Sequence, residues 1–277
     1  MARRSPFLTG HFLTGHFLTG HLHPRQIGLI LAGLFGLALV GCGPDADQRL
    51  PPPGRPPFRG TVWIDADVIR PSDPTSFRGL TAKGRGERSM YDRRAADFVT
   101  YEAHLFDARF GRSTVVEVQV NPEFSAEAAE TNAAYYAEVI GRIPGFLFTN
   151  LQTVWIHRGE EPFGGGNDNI LIHTGRQFEQ AFLEEILVHE GGHTSMDPFH
   201  RDAPGWRAAQ RADPVAISSY AAEFPDREDI AETLLPYLAL RFRSERLDPG
   251  VVTEITRAIP NRIDYLDGLG LDMRILE

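Results

Sequence analysis

Strands are predicted in the first two thirds of the chain, where apolar residues alternate with polar ones or form brief runs. The predicted strands cover residues 61–68, 98–106, 114–120, 153–157 and 169–173. The alternation is clearest in 114–120, where valines are separated by polar side chains. These segments are expected to form a mixed sheet.

Helices are predicted mainly in the last third of the chain. An earlier helix is expected over 125–143, with Ser125 at its N-terminus as the capping residue. From residue 177 the pattern becomes strongly helical, and helices are expected over 227–243 and 251–258. Strands come first, helices follow, and strand 169–173 leads into the helical part, so the predicted fold class is α+β.

The N-terminal segment has the pattern of an export signal. Arg3, Arg4 and Arg25 precede an apolar run over 27–41. The run is short for a membrane-spanning helix but typical of a signal peptide. The run ends in Leu-Val-Gly-Cys at 39–42, which resembles the bacterial lipobox. That resemblance implies removal of residues 1–41 and lipidation of Cys42; the alternative is an uncleaved signal anchor.

Residues 42–59 are rich in proline, which favours an extended, semi-rigid tether over a helix or sheet interior. We therefore predict a tether over 42–59 and one domain over 60–277. Gly43 is not the aspartate that retains Gram-negative lipoproteins in the inner membrane. If the source is Gram-negative, the lipobox resemblance therefore implies the outer membrane.

Composition narrows the function classes further. The chain has 277 residues and a formal net charge of −9, with no basic stripe that would favour a nucleic-acid partner. Its single cysteine, Cys42, excludes a disulfide framework and a cysteine zinc site. A Phe-Leu-Thr-Gly-His repeat occurs three times within 7–21, and its five-residue period is too short for a solenoid.

The candidate chemistry lies in His189, Glu190 and His193, which form the pattern His-Glu-x-x-His. Residues four apart share one face of a helix, so both imidazoles can bind a single metal ion. The carboxylate of Glu190 can then take a proton from a metal-activated water. The alternative is a core helix whose histidines hydrogen-bond to backbone.

The surroundings of this motif favour a metal. The apolar residues over 178–188 predict a buried helix, where histidines without partners would cost several kcal/mol each. Gly191 and Gly192 in the middle of a helix predict a close approach of another backbone. His157 and His173 are expected to be structural strand residues.

Two histidines and a water leave a zinc site one protein ligand short. His200 stands near the place of the third metzincin histidine, but Met196 and Phe199 do not match the metzincin pattern. Asp197, four residues after His193, would compete for the same turn of a continuing helix. Glu228 opens an apolar helix downstream, and the three candidates remain open from spacing alone.

The segment 169–240 resembles the gluzincin metallopeptidases, in which a ligand glutamate on a later helix follows the His-Glu-x-x-His motif. The pattern of Tyr220, Glu228 and Glu232 is most similar to lethal-factor-type peptidases. The resemblance implies a zincin-like domain with zinc bound by His189, His193 and Glu228. It also implies that Glu232 supports a zinc-bound histidine and that Tyr220 stabilises the oxyanion.

Two functions follow from these expectations, and a zinc hydrolase that acts on bonds other than peptide bonds would use the same residues. The first is a membrane-anchored, extracytoplasmic zinc peptidase acting on peptide or protein substrates, with Glu190 as general base. The second is a zincin-fold lipoprotein that binds or scaffolds without catalysis.

The glycine run at 164–166 precedes strand 169–173, which in zincins is commonly a sheet edge that pairs with extended substrate. The glycines suit either such a close approach or a flexible loop.

Overall fold

A six-stranded mixed sheet organises the fold. The computed structural model describes residues 54–64, 68–176 and 182–277, so the predicted signal peptide, Cys42 and most of the tether lie outside the described residues. Leu50–Glu277 belongs to one compact unit. The strands are β1 (Phe77–Asp92), β2 (Asp97–Phe110), β3 (Thr114–Val120), β4 (Thr153–His157), β5 (Gly164–Gly166) and β6 (Asn169–His173).

The strand order across the sheet is β1-β2-β3-β4-β6-β5. The pairs β1–β2, β2–β3 and β5–β6 are antiparallel, whereas β3–β4 and β4–β6 are parallel. A parallel neighbour requires a crossover, and the helix α1 (Ala126–Ile140) lies in the crossover between β3 and β4. Ser125 caps α1, because its hydroxyl accepts a hydrogen bond from the Ala128 amide at 3.2 Å.

The remaining helices follow the sheet in the chain. The described α-helices after α1 are α2 (Leu183–Ser195), α3 (Asp197–His200), α4 (Pro204–Ala212), α5 (Ser219–Glu223), α6 (Asp229–Phe242), α7 (Pro249–Ala258) and α8 (Pro260–Leu269). None of the helices in the described ranges is long and apolar enough to cross a membrane.

Both faces of the central strands are buried, because side chains alternate between the two faces of a sheet. On one face, Val154 and Ile156 belong to the main core together with apolar residues of α1, α2 and α6. On the other face, Trp155 packs edge-on against Phe98, with ring centroids 6.0 Å apart. The β1–β2 hairpin therefore covers the second face.

The predicted fold class is confirmed as α+β. Strands 114–120, 153–157 and 169–173 have the predicted bounds, and 98–106 lies inside β2. The strand predicted over 61–68 is wrong for its described part, since residues 61–64 pair with no strand. Instead, the Val62 amide donates to Glu232 Oε2 at 2.9 Å, so this segment is held by α6.

Phe58, near the end of the predicted tether, is bonded to the domain. The Phe58 amide donates to the Ile217 carbonyl at 3.3 Å, and the Ser219 amide donates to the Phe58 carbonyl at 2.9 Å. Phe58 also packs against the main core. The last residues of the predicted tether therefore contact the segment that leads into α5.

Candidate metal centre

Helix α2 carries the His-Glu-x-x-His motif through the interior of the protein. Leu183, Leu187 and Val188 are buried, as the apolar sequence predicts. Gly192 explains how α6 comes close enough to contribute to the same site. An added Cβ at Gly192 would lie 2.7 Å from Leu234 Cδ1 and 3.2 Å from Ala231 Cα, so a larger residue would displace the Leu234 side chain and press against α6.

Three candidate ligand atoms converge between α2 and the start of α6. His189 Nε2 and His193 Nε2 are 3.2 Å apart. Glu228 Oε2 lies 3.1 Å from His193 Nε2 and 3.5 Å from His189 Nε2. Glu190 also belongs to the group, because His189, Glu190 and His193 each offer a ligand atom within 4.8 Å of the others.

The spacing of the three atoms suits a single metal ion. Ligands bound at about 2.0–2.1 Å in a tetrahedral arrangement lie about 3.3 Å from one another. The observed separations of 3.1, 3.2 and 3.5 Å bracket that value. Two imidazole nitrogens and one carboxylate oxygen are also a donor set that zinc accepts, so the residues present fit such an ion.

The other nitrogen of each histidine faces a carboxylate. His189 Nδ1 lies 3.2 Å from Glu232 Oε1, and His193 Nδ1 lies 2.8 Å from Asp197 Oδ2. A carboxylate at Nδ1 favours the tautomer that leaves Nε2 free for a metal, and it makes the imidazole more basic. Both histidines therefore have the supporting contacts that metal-binding histidines usually show.

Glu232 is itself held in place by other groups. The Ser218 hydroxyl donates to Glu232 Oε2 at 2.6 Å, and the Val62 amide donates to the same oxygen at 2.9 Å. Glu232 is 1% exposed, and these two hydrogen bonds offset the cost of burying its carboxylate. They leave Oε1 directed at His189.

The electrostatics agree with a site that holds a cation. Burial by itself would raise the pKa of Glu228, but hydrogen bonds from His189 and His193 outweigh it and hold that pKa well below its usual range. Burial would lower the pKa of His189, yet its contacts with Glu228 and Glu232 raise it to about 10. Likewise, Asp197 and Glu228 outweigh burial and raise the pKa of His193. The surrounding carboxylates thus favour positive charge at these two imidazoles.

Tyr220 lies beside the same group on helix α5. Burial, followed by the negative charge of Glu228, raises the pKa of its phenol, which therefore stays protonated at neutral pH. The ring packs edge-on against Phe224, with centroids 5.2 Å apart. Tyr220 therefore lies close to Glu228.

The edge of the sheet beside α2 is β5. Strand β6, the predicted edge, is wrong in that role because it lies between β4 and β5. Asn167 and Asp168 link β5 to β6 with φ values of 51° and 59°, as a tight hairpin turn requires. The glycine run is therefore a strand and not a loop, and its outer edge is free of other described strands.

The structure does not bring His200 to the ligand atoms. His200 Nδ1 lies 2.8 Å from the Tyr265 hydroxyl on α8, and partial burial lowers its pKa. Asp197 does not act as a ligand either, because its Oδ2 faces Nδ1 of His193 and not Nε2. Helix α2 ends at Ser195, and Asp197 is the first residue of α3.

The roles of two residues of this site were not predicted from the sequence, although Asp197 was considered as a ligand. Asp197 lies four residues after His193, and that spacing is itself a signal for a contact along a helical turn. Arg227 directly precedes Glu228, and its Nε donates to Glu228 Oε1 at 2.8 Å. No sequence pattern distinguishes this arginine from the other exposed cations of the chain.

Comparison with protein-family models, with curated proteins and with solved structures finds no match to this chain. The candidate function therefore depends on the motif and on the geometry of the group around His189 and His193.

Proposed function

We propose that this chain is a zinc-dependent metallopeptidase that hydrolyses peptide bonds outside the cytoplasm while anchored to a membrane. The observation that carries the proposal is the convergence of His189 Nε2, His193 Nε2 and Glu228 Oε2 at separations of 3.1–3.5 Å. Glu190, on the same helix, supplies a carboxylate within reach of that group. The zincin-like character of the fold is part of the same proposal.

His189, His193 and Glu228 would hold the ion. Bound there, zinc would polarise the scissile carbonyl and lower the pKa of water toward about 7. Arg227 donates to Glu228 Oε1, so Oε2 would remain available to the ion. Glu232 and Asp197 hold the two imidazoles by their Nδ1 atoms.

The remaining chemistry belongs to Glu190 and Tyr220. Glu190 would accept a proton from the attacking water and transfer it to the leaving amine, as a general base and then a general acid. Tyr220 would donate a hydrogen bond to the oxyanion that forms on the scissile carbonyl. Because the phenol of Tyr220 keeps its proton at neutral pH, it is available as a donor.

Strand β5 supports a peptide substrate over a small molecule. An extended peptide can add to a free sheet edge by main-chain hydrogen bonds. Here β5 packs directly against helix α2, since a Cβ on Gly165 would collide with the backbone of Glu190. The scissile bond would then lie beside the general base.

The membrane anchor rests on the sequence alone. Lipidation of Cys42 would place the domain outside the cytoplasm, and the proline-rich segment would hold it away from the bilayer surface. Radiolabelled palmitate incorporation by the parent, and its loss in Cys42→Ala, would test this part of the proposal.

The central experiment compares the parent chain with Glu190→Gln and Glu130→Gln, an exposed residue of α1 that serves as control. Metal content is measured by mass spectrometry, and hydrolysis is measured on a library of quenched fluorescent peptides. We expect about one zinc per chain in all three proteins. The rate of hydrolysis should fall about 100-fold or more in Glu190→Gln and stay unchanged in Glu130→Gln. A Glu190→Gln variant as active as the parent would refute the peptidase; zinc without any hydrolysis in the parent would favour the non-catalytic binding lipoprotein.

A further inference from the structure

Arg227 is a permanent positive charge at the edge of the candidate metal centre. Its Nε donates to Glu228 Oε1 at 2.8 Å, which places the guanidinium beside a proposed ligand. The guanidinium carbon also lies 4.4 Å from the centre of the Phe224 ring. This stacking and the single hydrogen bond fix the plane of the group.

The hydrogen bond to Glu228 uses only Nε of Arg227, so the two terminal nitrogens take no part in it. The Tyr220 side chain is a second polar neighbour of the guanidinium. Its side chain is 20% exposed, so the guanidinium is largely desolvated yet still open on one side. A fixed guanidinium with free N–H groups matches the planar geometry of a carboxylate, which it can bind through two parallel hydrogen bonds.

Arg227 lies next to the residues that would contact a bound substrate. The guanidinium of Arg227 lies over the Phe224 ring, and the Tyr220 ring packs edge-on against the same ring with centroids 5.2 Å apart, so Arg227 and Tyr220 are close neighbours beside Glu228. A molecule that contacts the Tyr220 phenol therefore passes close to Arg227. The other charged groups around the ligand atoms include the carboxylates of Glu190, Asp197 and Glu232, which would repel an anion elsewhere in the site.

We propose that Arg227 binds a carboxylate of the peptide substrate next to the scissile bond. The inference rests on the proposed function, because it identifies a substrate feature for that same site. An acidic side chain and a free C-terminus present the same carboxylate chemistry. In either case Arg227 selects substrate and holds Glu228, and takes no part in proton transfer.

The test uses the zinc-loaded full chain carrying Glu190→Gln, which binds peptides without consuming them. Three fluorescein-labelled hexapeptides differ only in charge: one with a central glutamine and a C-terminal amide, one with a central glutamate and an amide, and one with a central glutamine and a free C-terminus. Fluorescence anisotropy measures each dissociation constant. Arg227→Gln and Arg227→Lys are made in the same background, and Arg211→Gln, an exposed arginine of α4, is the matched control.

We expect at least one carboxylate peptide to bind about tenfold more tightly than the neutral peptide, as a charge-assisted hydrogen-bond pair provides. The preference should disappear in Arg227→Gln, shrink in Arg227→Lys and persist in Arg211→Gln. The peptide that shows it identifies the source of the carboxylate. Equal binding of all three peptides by the unchanged arginine, or a preference that survives Arg227→Gln, would overturn the inference. Absence of hydrolysis by the parent would overturn the proposed peptidase alone, since this assay measures only binding.

Discussion

A side chain at Gly165 would collide with the backbone of Glu190. An ideal Cβ built on Gly165 lies 1.9 Å from the Glu190 carbonyl oxygen and 2.7 Å from its carbonyl carbon. The neighbouring Gly166 amide donates to Thr194 Oγ1 at 2.9 Å, one turn further along α2. The glycines of β5 therefore place a sheet edge in direct contact with the helix that carries the motif.

We expect Gly165→Ala to lower the free energy of unfolding by more than about 2 kcal/mol, because the colliding atoms are backbone and cannot rotate away. Gly164→Ala is the matched control, since its Cβ would meet the mobile end of the Arg93 side chain at 2.8 Å. Urea unfolding measures both variants. Similar stabilities would mean that β5 does not need this close contact with α2.

Removal of Glu228 should abolish metal binding under conditions in which the parent retains about one ion per chain. Glu228→Ala leaves only two imidazoles, and a site with two protein ligands holds zinc far less tightly than one with three. His200→Ala should keep the ion, because His200 contacts Tyr265 and not the ligand group. Mass spectrometry after dialysis against a weak chelator provides the measurement. Retention of zinc by Glu228→Ala, together with its loss from His200→Ala, would contradict the proposed ligand set.

Asp197→Asn should weaken zinc affinity about 10- to 100-fold while leaving the ion detectable at high zinc concentration. The carboxylate contacts His193 Nδ1 at 2.8 Å, and its loss removes the group that orients this imidazole. Asp202→Asn, whose carboxylate is exposed and pairs with Arg207, is the control. Competition with a chromophoric chelator gives both affinities, and equal values would assign Asp197 no role at the site.

Sequence patterns located the interior strands better than the edges of the sheet. Strands β3, β4 and β6 are buried, so their apolar residues indicated both their type and their bounds. Strand β1 was missed because only three of its 16 residues are buried and several are glycines or charged. It forms through antiparallel pairing with β2, a contact that its own composition does not indicate. Strand β5 has no side chains at all, and hence no pattern.

The candidate ligand group could be predicted from the sequence because its spacing reflects helix geometry. His189 and His193 lie one turn apart, and Glu228 and Glu232 repeat that spacing on the next long helix. The roles of Asp197 and Arg227 depended on where helices end. Since α2 stops at Ser195 and α6 begins at Asp229, each residue lies just outside a long helix, where boundaries are hardest to predict.

Acid should destabilise the fold through His157 and His173, which lie opposite one another on β4 and β6 with ring centroids 5.5 Å apart. Among the described residues neither Nε2 has a hydrogen-bond partner, and burial lowers the pKa of His157 to about 4 and that of His173 to about 3. Below about pH 6.5 the unfolded chain binds more protons than the folded one. The free energy of unfolding should then fall with decreasing pH by up to about 1.4 kcal/mol per unit for each histidine, down to about pH 4.

The double variant His157→Phe and His173→Phe separates this effect from other titrations. The parent and the double variant are both treated with EDTA to remove metal. The free energy of unfolding of each is then measured in urea at several pH values between 4.5 and 6.5. We expect a smaller pH slope in the double variant, whatever its stability at neutral pH. An unchanged slope would show that these histidines are protonated in the folded protein.

Arg262 should be among the most costly single residues to replace outside the candidate site. It is 3% exposed and binds Asp213 at 2.8 Å and Asp229 through two hydrogen bonds of 2.9 and 3.0 Å. Arg262→Met would leave two buried carboxylates without their cation, which costs about 3–5 kcal/mol. Lys83→Met, in an exposed pair with Asp107, should cost at most about 1 kcal/mol. Urea unfolding measures the stability of both variants. Because Asp229 adjoins Glu228, the zinc affinity should also fall in Arg262→Met and stay unchanged in Lys83→Met. Similar stabilities of the two variants would contradict the role of Arg262 as the buried counter-ion of Asp213 and Asp229.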